Sequence, residues 1–274
     1  MEQKKIDGEK QQAGGSPAKR AFSLAGLFSK QQPIAEKLAP LVKVNERVRE
    51  MDDALDAALA AKSYYTAERK EALAKIAGMG HTAEDIAEFA LSLGKYQGRK
   101  NFANRAGLFL SELCNSCADR AITLHLSHLD TPINYLGFRN RKELTVIGNA
   151  GSHFGQENED GSLSLEGNAG SFAFLRMRGG SAKITGSALD YACEEMENGK
   201  ASIGGNARHH AGRMMRGGQA LFNRDVGDAA FEEMSGGNAI VHGLAGENPG
   251  RGRVGGHLTI YRNAWNNGRA QHGQ

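Results

Sequence analysis

Apolar and polar positions follow two different rhythms along this chain. Between residues 43 and 117 the spacing is helical: Val48, Met51, Leu55 and Leu59 recur near 3.6 residues among Glu, Asp and Arg. A second helix is expected from Thr66, with Ala72, Leu73 and Ile76 on one face and Gly78 and Gly80 at its end. Thr82 with Asp85 three residues later predicts a capped third helix, carrying Ile86, Phe89, Ala90 and Leu93 inward and stopping before Gly94. A fourth is expected from Asn101 to Asn115, with Phe102, Ala106, Phe109 and Leu113 along one side.

From residue 121 the period becomes two. Ile122, Leu124 and Leu126 alternate with Thr123 and His125, and Leu144-Thr145-Val146-Ile147 opens a run that then recurs every 19 residues. One inward column reads Val146, Leu165, Ile184, Ile203, Phe222, Val241 and Ile260; two residues before it run Leu144, Leu163, Ala182, Ala201, Ala220, Ala239 and Leu258. Gly161, Gly180, Gly199, Gly218, Gly237 and Gly256 form an unbroken column, and Met177, Met196, Met215 and Met234 recur at the same interval as interior packing. Nineteen residues cannot hold a strand plus a crossover helix, because a βαβ unit takes about 30. Short strands with sharp glycine turns predict a right-handed, single-stranded parallel β-helix, in which each coil buries its apolar face against its neighbours. The fold class is therefore α+β: a small helical module over 43–117, then a solenoid over 121–264. Tyr135-Leu136-Gly137 reads as an irregular first coil, with the helices set against that end.

The strings GNAGSHFG, GNAGSFAFLRMRGG and GNARHHAGRMMRGG over roughly 143–261 resemble a glycine-rich β-helix domain. That domain is shared by the large polypeptide of glutamate synthase, at its C-terminus, and by one of the polypeptides that make up formylmethanofuran dehydrogenase. In both the β-helix is a structural and assembly element, so the resemblance implies a scaffold, either free-standing or as a component of a similar complex. Arg224 stands where the pattern has glycine, and Phe174, Cys193 and Phe231 stand where Gly155, Gly212 and Gly250 occur in other coils.

Composition adds limits. The chain has 274 residues and 36 glycines, roughly double the ~7% average. Those glycines gather in the repeat, where they mark turns. Residues 1–20 are polar and Gly/Ser-rich, which predicts a disordered arm; residues 265–274 read as a tail that covers the last coil with Trp265. A net charge of +3 argues against a nucleic-acid or anionic-membrane partner. Three cysteines without a secretory signal predict a cytoplasmic protein, and no apolar run reaches the ~18 residues of a membrane span.

Stacking coils makes residues 19 apart into neighbours, so candidate chemistry is sought in columns. Asp190, His209 and Asp228 place an imidazole between two carboxylates, a candidate general base for a hydrolase or lyase. Glu194, Arg213, Glu232 and Arg251 alternate in sign and predict an exposed register-setting ladder. His153, Phe172, Tyr191 and His210 predict stacked rings or a ring-binding platform. Cys114 and Cys117, with His125 and His128 downstream, are candidate zinc ligands. No Walker loop, HExxH helix or GxSxG elbow is present, and no cofactor is expected. The expected role is a non-catalytic scaffold that binds a protein partner or a second copy of itself.

Overall fold

The computed structural model describes residues 45–61, 78 and 80–263. The expected arm at 1–20, the helix from Thr66 and the tail with Trp265 lie outside the described residues. Among the described residues the first elements are the α-helices α1 (Glu46–Ala60), α2 (Ala83–Ser92) and α3 (Phe102–Ser116). Eight strands follow: β1 (Ala121–His125), β2 (Glu143–Ile147), β3 (Ser162–Glu166), β4 (Ser181–Ile184), β5 (Lys200–Ile203), β6 (Gln219–Phe222), β7 (Asn238–Ala245) and β8 (His257–Asn263).

Each helix end has a local cause. Thr82 and Asp85 form the expected reciprocal capping box on α2. Asn45 caps α1 by accepting from the Arg47 N–H at 3.1 Å. The other end of α1 is closed by Arg105, whose Nη1 donates to the carbonyls of Ala58, Leu59 and Ala61 at 2.8–2.9 Å. The chain does not stop helically before Gly94; it continues as a 3₁₀ turn over Leu93–Tyr96. Leu93 and Tyr96 are both buried, and the tighter turn brings the Tyr96 hydroxyl to Asp52 of α1.

The strands form one parallel sheet in sequence order, with Glu143 opposite Ser162, Ser162 opposite Ser181 and Ser181 opposite Lys200. This is the expected β-solenoid of 19-residue coils with one strand per coil. Inward residues of β2 to β7 are buried and those of β8 partly so. The first coil is irregular. Ala121 lies opposite Glu143, whereas Ile133 already bridges Ala150, so the extra residues sit between β1 and Ile133. In the last coil a register shift between Val241 and Leu244 bends β7 against β8.

Two columns explain each other. Met177, Met196, Met215 and Met234 are fully buried, and their terminal methyls lie where a side chain on Gly199, Gly218, Gly237 and Gly256 would begin. Those glycines also have φ between +74° and +88°, so both room and backbone exclude other residues.

The corner of each coil is a pair of overlapping turns. Leu175 N–H donates to Phe172 O and Met177 N–H to Phe174 O, each at 3.2 Å. Phe174 (φ 61°) and Arg176 (φ 52°) carry positive φ at the third position of these turns, the sign pattern of type II. That position favours glycine, yet Phe174, Cys193 and Phe231 occupy it. The departures from the glycine pattern have a packing reason: the Phe174 ring fills the room beside Gly155, and the Phe231 ring fills the room beside Gly212.

The helices cover the open edge of the first coil. Ala103 O accepts from the Asn134 N–H at 3.0 Å, Ser111 Oγ donates to Tyr135 O at 3.0 Å, and Asn115 Oδ1 accepts from the Arg141 N–H at 3.2 Å. Backbone groups that would otherwise template edge pairing are thereby satisfied. Among the described residues no helix is long and apolar enough to cross a membrane.

Candidate functional site

The solenoid wall after each strand brings the Asp190–His209–Asp228 column together, mainly through backbone groups and with one side-chain contact, His209 Nδ1 to Asp228 Oδ2 at 3.4 Å. Asp190 Oδ1 accepts from the His209 backbone N–H at 3.2 Å, and His209 Nδ1 accepts from the Asp228 backbone N–H at 3.2 Å. Asp228 Oδ1 in turn accepts from the Glu247 N–H at 2.7 Å. Each side chain satisfies the N–H of its counterpart one coil on, just as Asn134 Oδ1 does for Ser152 at 2.7 Å. With Nδ1 accepting, the neutral ring carries its proton on Nε2. Neither Asp190 oxygen is bonded to the imidazole; its Oδ2 lies 3.7 Å from Arg208.

A parallel column, absent from the sequence reading, does the same work. Asn149, Asn168, Ser187, Asn206 and Asp225 each accept from a backbone N–H one coil further on, at 2.7–3.2 Å. Its signal is the 19-residue spacing of small acceptor side chains.

The Glu194–Arg213–Glu232–Arg251 ladder forms at the surface, with one correction: its two acids are not exposed. The side chains of Glu194 and Glu232 are only 9% and 8% exposed, covered by their arginines. Arg213 Nη1 donates to Glu194 Oε1 at 2.9 Å, and Arg251 donates to Glu232 through Nε at 2.9 Å and through Nη2. The hydrogen bond from Arg251 holds the Glu232 carboxyl below its ordinary range, against the opposing effect of burial. Two further alternating columns stand beside it, Arg139–Glu157–Arg176–Glu195 and Arg141–Glu159–Arg178–Glu197–Arg216. Cross-links such as Arg178 to Glu157 (3.1 Å) and Arg216 to Glu195 (3.2 Å) join them into a checkerboard.

The ring column is a continuous stack that begins one coil earlier than the sequence indicates, at Tyr135. Neighbouring centroids from Tyr135 through His153, Phe172 and Tyr191 to His210 are 4.4–4.9 Å apart with planes within 6°. Stacking consumes both faces of the three central rings and leaves only their edges, so a planar ligand finds no face there.

His153 sits in that stack with Nδ1 buried, and burial holds its pKa below the usual 6.5 against the opposing effect of a Gln156 hydrogen bond. The native ring therefore refuses a proton that the unfolded chain takes up, so stability falls as pH drops below about 6.5. Glu159, Glu195 and Glu232 act lower. Hydrogen bonds from Arg141, Arg176 and Arg251 lower their pKa, so their contribution is intact near neutrality and is lost below about pH 4.5. Replacing His153 by phenylalanine keeps a ring at a φ that Phe172 already adopts. The expected outcome is a melting temperature that changes less between pH 7 and 5 than in the wild type; an unchanged slope overturns the assignment.

The candidate zinc quartet does not assemble. Cys114 and Cys117 face the buried junction between helices and solenoid at 1% and 3% exposure, whereas His125 points outward from β1 and His128 is exposed. Burial pushes the Cys114 and Cys193 thiols up to about 12 and raises Cys117 as well, which opposes thiolate chemistry. Cys117 Sγ instead donates to His81 O at 3.6 Å. His81 escapes the sequence reading because it precedes the motif by more than thirty residues; its Nε2 lies 2.8 Å from Leu113 O. Among the described residues no three His, Cys, Asp or Glu side chains gather to hold a metal ion.

One concave feature lies on the outward face of the sheet, a trough of about 540 Å³ across β3 to β7. Ser164, Lys183, Ser202, Leu221 and Ile240 run along it, with Lys200 beside them. A scan against protein-family models found no match to this chain, and a search of curated proteins found no relative.

Proposed function

We propose that this protein is a non-catalytic β-solenoid scaffold that binds a protein partner or a second copy of itself. The observation that carries the reading is how the chemistry-bearing columns are used. His209, Asp190 and Asp228 satisfy corner N–H groups, the rings stack on one another, and the acids lie under arginines. Such a coil presents a long, rigid, regular surface whose sides differ in charge and shape. Val254 and Tyr261, 84% and 67% exposed toward the far end, also favour association.

Affinity purification at native expression level tests this. The expected result is a defined second polypeptide in fixed ratio, or the mass of a dimer by light scattering. A lone monomer overturns the proposal. The hydrolase or lyase alternative is tested by replacing His209 and Asp228 together with alanine. Loss of an activity found in a broad screen of the wild type, with the fold intact, replaces the scaffold reading by that one. A narrower form of the scaffold reading, a structural component of a complex like glutamate synthase or formylmethanofuran dehydrogenase, rests on the repeat strings alone. Co-purifying amidotransferase or molybdopterin-binding polypeptides are its expected signature.

A further inference from the structure

The trough on the outward sheet face has a chemistry of its own. Along one of its columns Ser164 and Ser202 flank Lys183. A second hollow of about 480 Å³ continues it over the glycine corner and shares Lys200, Gln219 and Asn238. No Asp or Glu lines either hollow. Among the described residues no ion pair involves Lys183 or Lys200. Two cations without counterions thus share one concave surface with serine hydroxyls and carboxamides.

Register sets the spacing of those cations. Lys200 lies opposite Ser181 and Lys183 opposite Ser202, so the lysines are diagonal neighbours with Cα atoms about 8 Å apart, from strands about 4.8 Å apart and about 6.6 Å per two residues. An extended peptide repeats its same-face side chains every second residue, about 6.6 Å. Carboxylates at positions i and i+2 of such a segment match the two ammonium groups. Beyond them, one and two coils on, Leu221 and Ile240 are half-buried at the same trough floor and offer an apolar seat. With coils about 4.8 Å apart, that seat is reached two to four residues further along the peptide.

We propose that the trough across β3 to β7 binds an extended acidic segment of a partner protein, with two alternate carboxylates on Lys183 and Lys200 and a following apolar side chain on Leu221 and Ile240. The proposal rests on the protein-binding scaffold reading and names the surface that would serve it. The unpaired lysines favour an anionic partner. The match between diagonal spacing and strand repeat, together with the adjoining apolar seat, favours a peptide over a uniform polyanion.

The test is a fluorescence-anisotropy titration of the full chain with the labelled peptide Ser-Glu-Ser-Glu-Ser-Leu-Ser. Counterparts carry Gln for Glu or Ser for Leu. Saturable binding that weakens at least tenfold with the Gln peptide, and at least tenfold with Lys183→Glu/Lys200→Glu protein, is expected. Leu221→Ser should weaken it severalfold, and 0.5 M salt should weaken it strongly. All three substituted side chains face solvent or the trough, and unchanged melting temperatures confirm folding of the variants. No saturation, equal binding of the Gln peptide, or tighter binding of heparin or single-stranded DNA overturns the site. Native purification of the double lysine variant separates the two proposals. A partner retained at full ratio, with no peptide binding, refutes the trough and leaves the scaffold. A monomer from both wild type and variant refutes the scaffold itself.

Discussion

Gly107→Ala is expected to detach the helical module from the solenoid and to lower the melting temperature by about 4–8 °C or more. Alanine is the better helix former by about 1 kcal/mol, so propensity alone predicts stabilisation. Geometry decides otherwise. A Cβ on Gly107 would lie 1.7 Å from Asn134 O and 2.6 Å from Ile133 Cγ2. That backbone has nowhere to retreat. Asn134 donates its N–H to Ala103 O and its Nδ2 to Asn104 Oδ1 at 2.7 Å, while its Oδ1 accepts from the Ser152 N–H. Relief requires α3 to lift off the first coil and forfeit these bonds. Overpacking against so fixed a neighbour exceeds the ordinary range of about 1–3 kcal/mol, leaving a net loss of about 2 kcal/mol or more. For a domain of this size each kcal/mol is worth about 2–4 °C. Gly98→Ala serves as the control, because nothing lies within 4 Å of the new methyl there. Hydrogen exchange should rise in α3 and β1 and stay unchanged in β5 to β7, since distant coils touch only their neighbours. Wild-type melting of Gly107→Ala would refute the close docking of α3 on Ile133 and Asn134.

The parts of this fold that are legible in the sequence are those set by periodicity. Inward columns such as Val146 to Val241 compound two signals, alternation within a strand and recurrence at 19, so each residue is specified twice. The capping box at Thr82 is legible because it is local. What escapes depends on direction or on distance. Column membership places Asp190 beside His209, but only coordinates show its oxygen on the backbone N–H and not on the ring. Sign alternation marks Glu194 and Glu232 as paired, but nothing in the string says that their arginines cover them. Arg139 and Arg141 are hidden as the first members of two further charge columns because the first coil steps by 18 at that corner, although Glu159, Arg178, Glu197 and Arg216 keep the 19-residue count. His81 meets Cys117 across two intervening helices, a contact no spacing rule contains.

Positive φ at a buried phenylalanine gives the second large effect, a coupling between Gly212 and Phe231. A Cβ on Gly212 would meet the Phe231 ring at 2.3 and 2.4 Å, and Gly212 has φ +67°. Gly212→Ala therefore carries two costs, about 1–2 kcal/mol for the left-handed backbone and about 1–3 kcal/mol for overpacking. Phe231 is fully buried at φ 58° and packs edge-on against Phe222 at 5.6 Å. Truncating it to alanine is expected to cost about 3–5 kcal/mol. In the double variant the ring that opposes the new methyl is gone, while the backbone strain remains. The two losses should then fall short of additivity by about 1–3 kcal/mol in urea unfolding. Gly250→Ala isolates the strain, because φ there is +69° and the nearest atom, Leu258 Cδ2, is 3.3 Å away. If Gly212→Ala costs no more than Gly250→Ala, or if the double variant is additive, the ring is not what fills the space beside Gly212. If the coupling is found, a bulky residue in a glycine position has become part of the register, because the Phe231 ring fits only against a coil whose corner is bare.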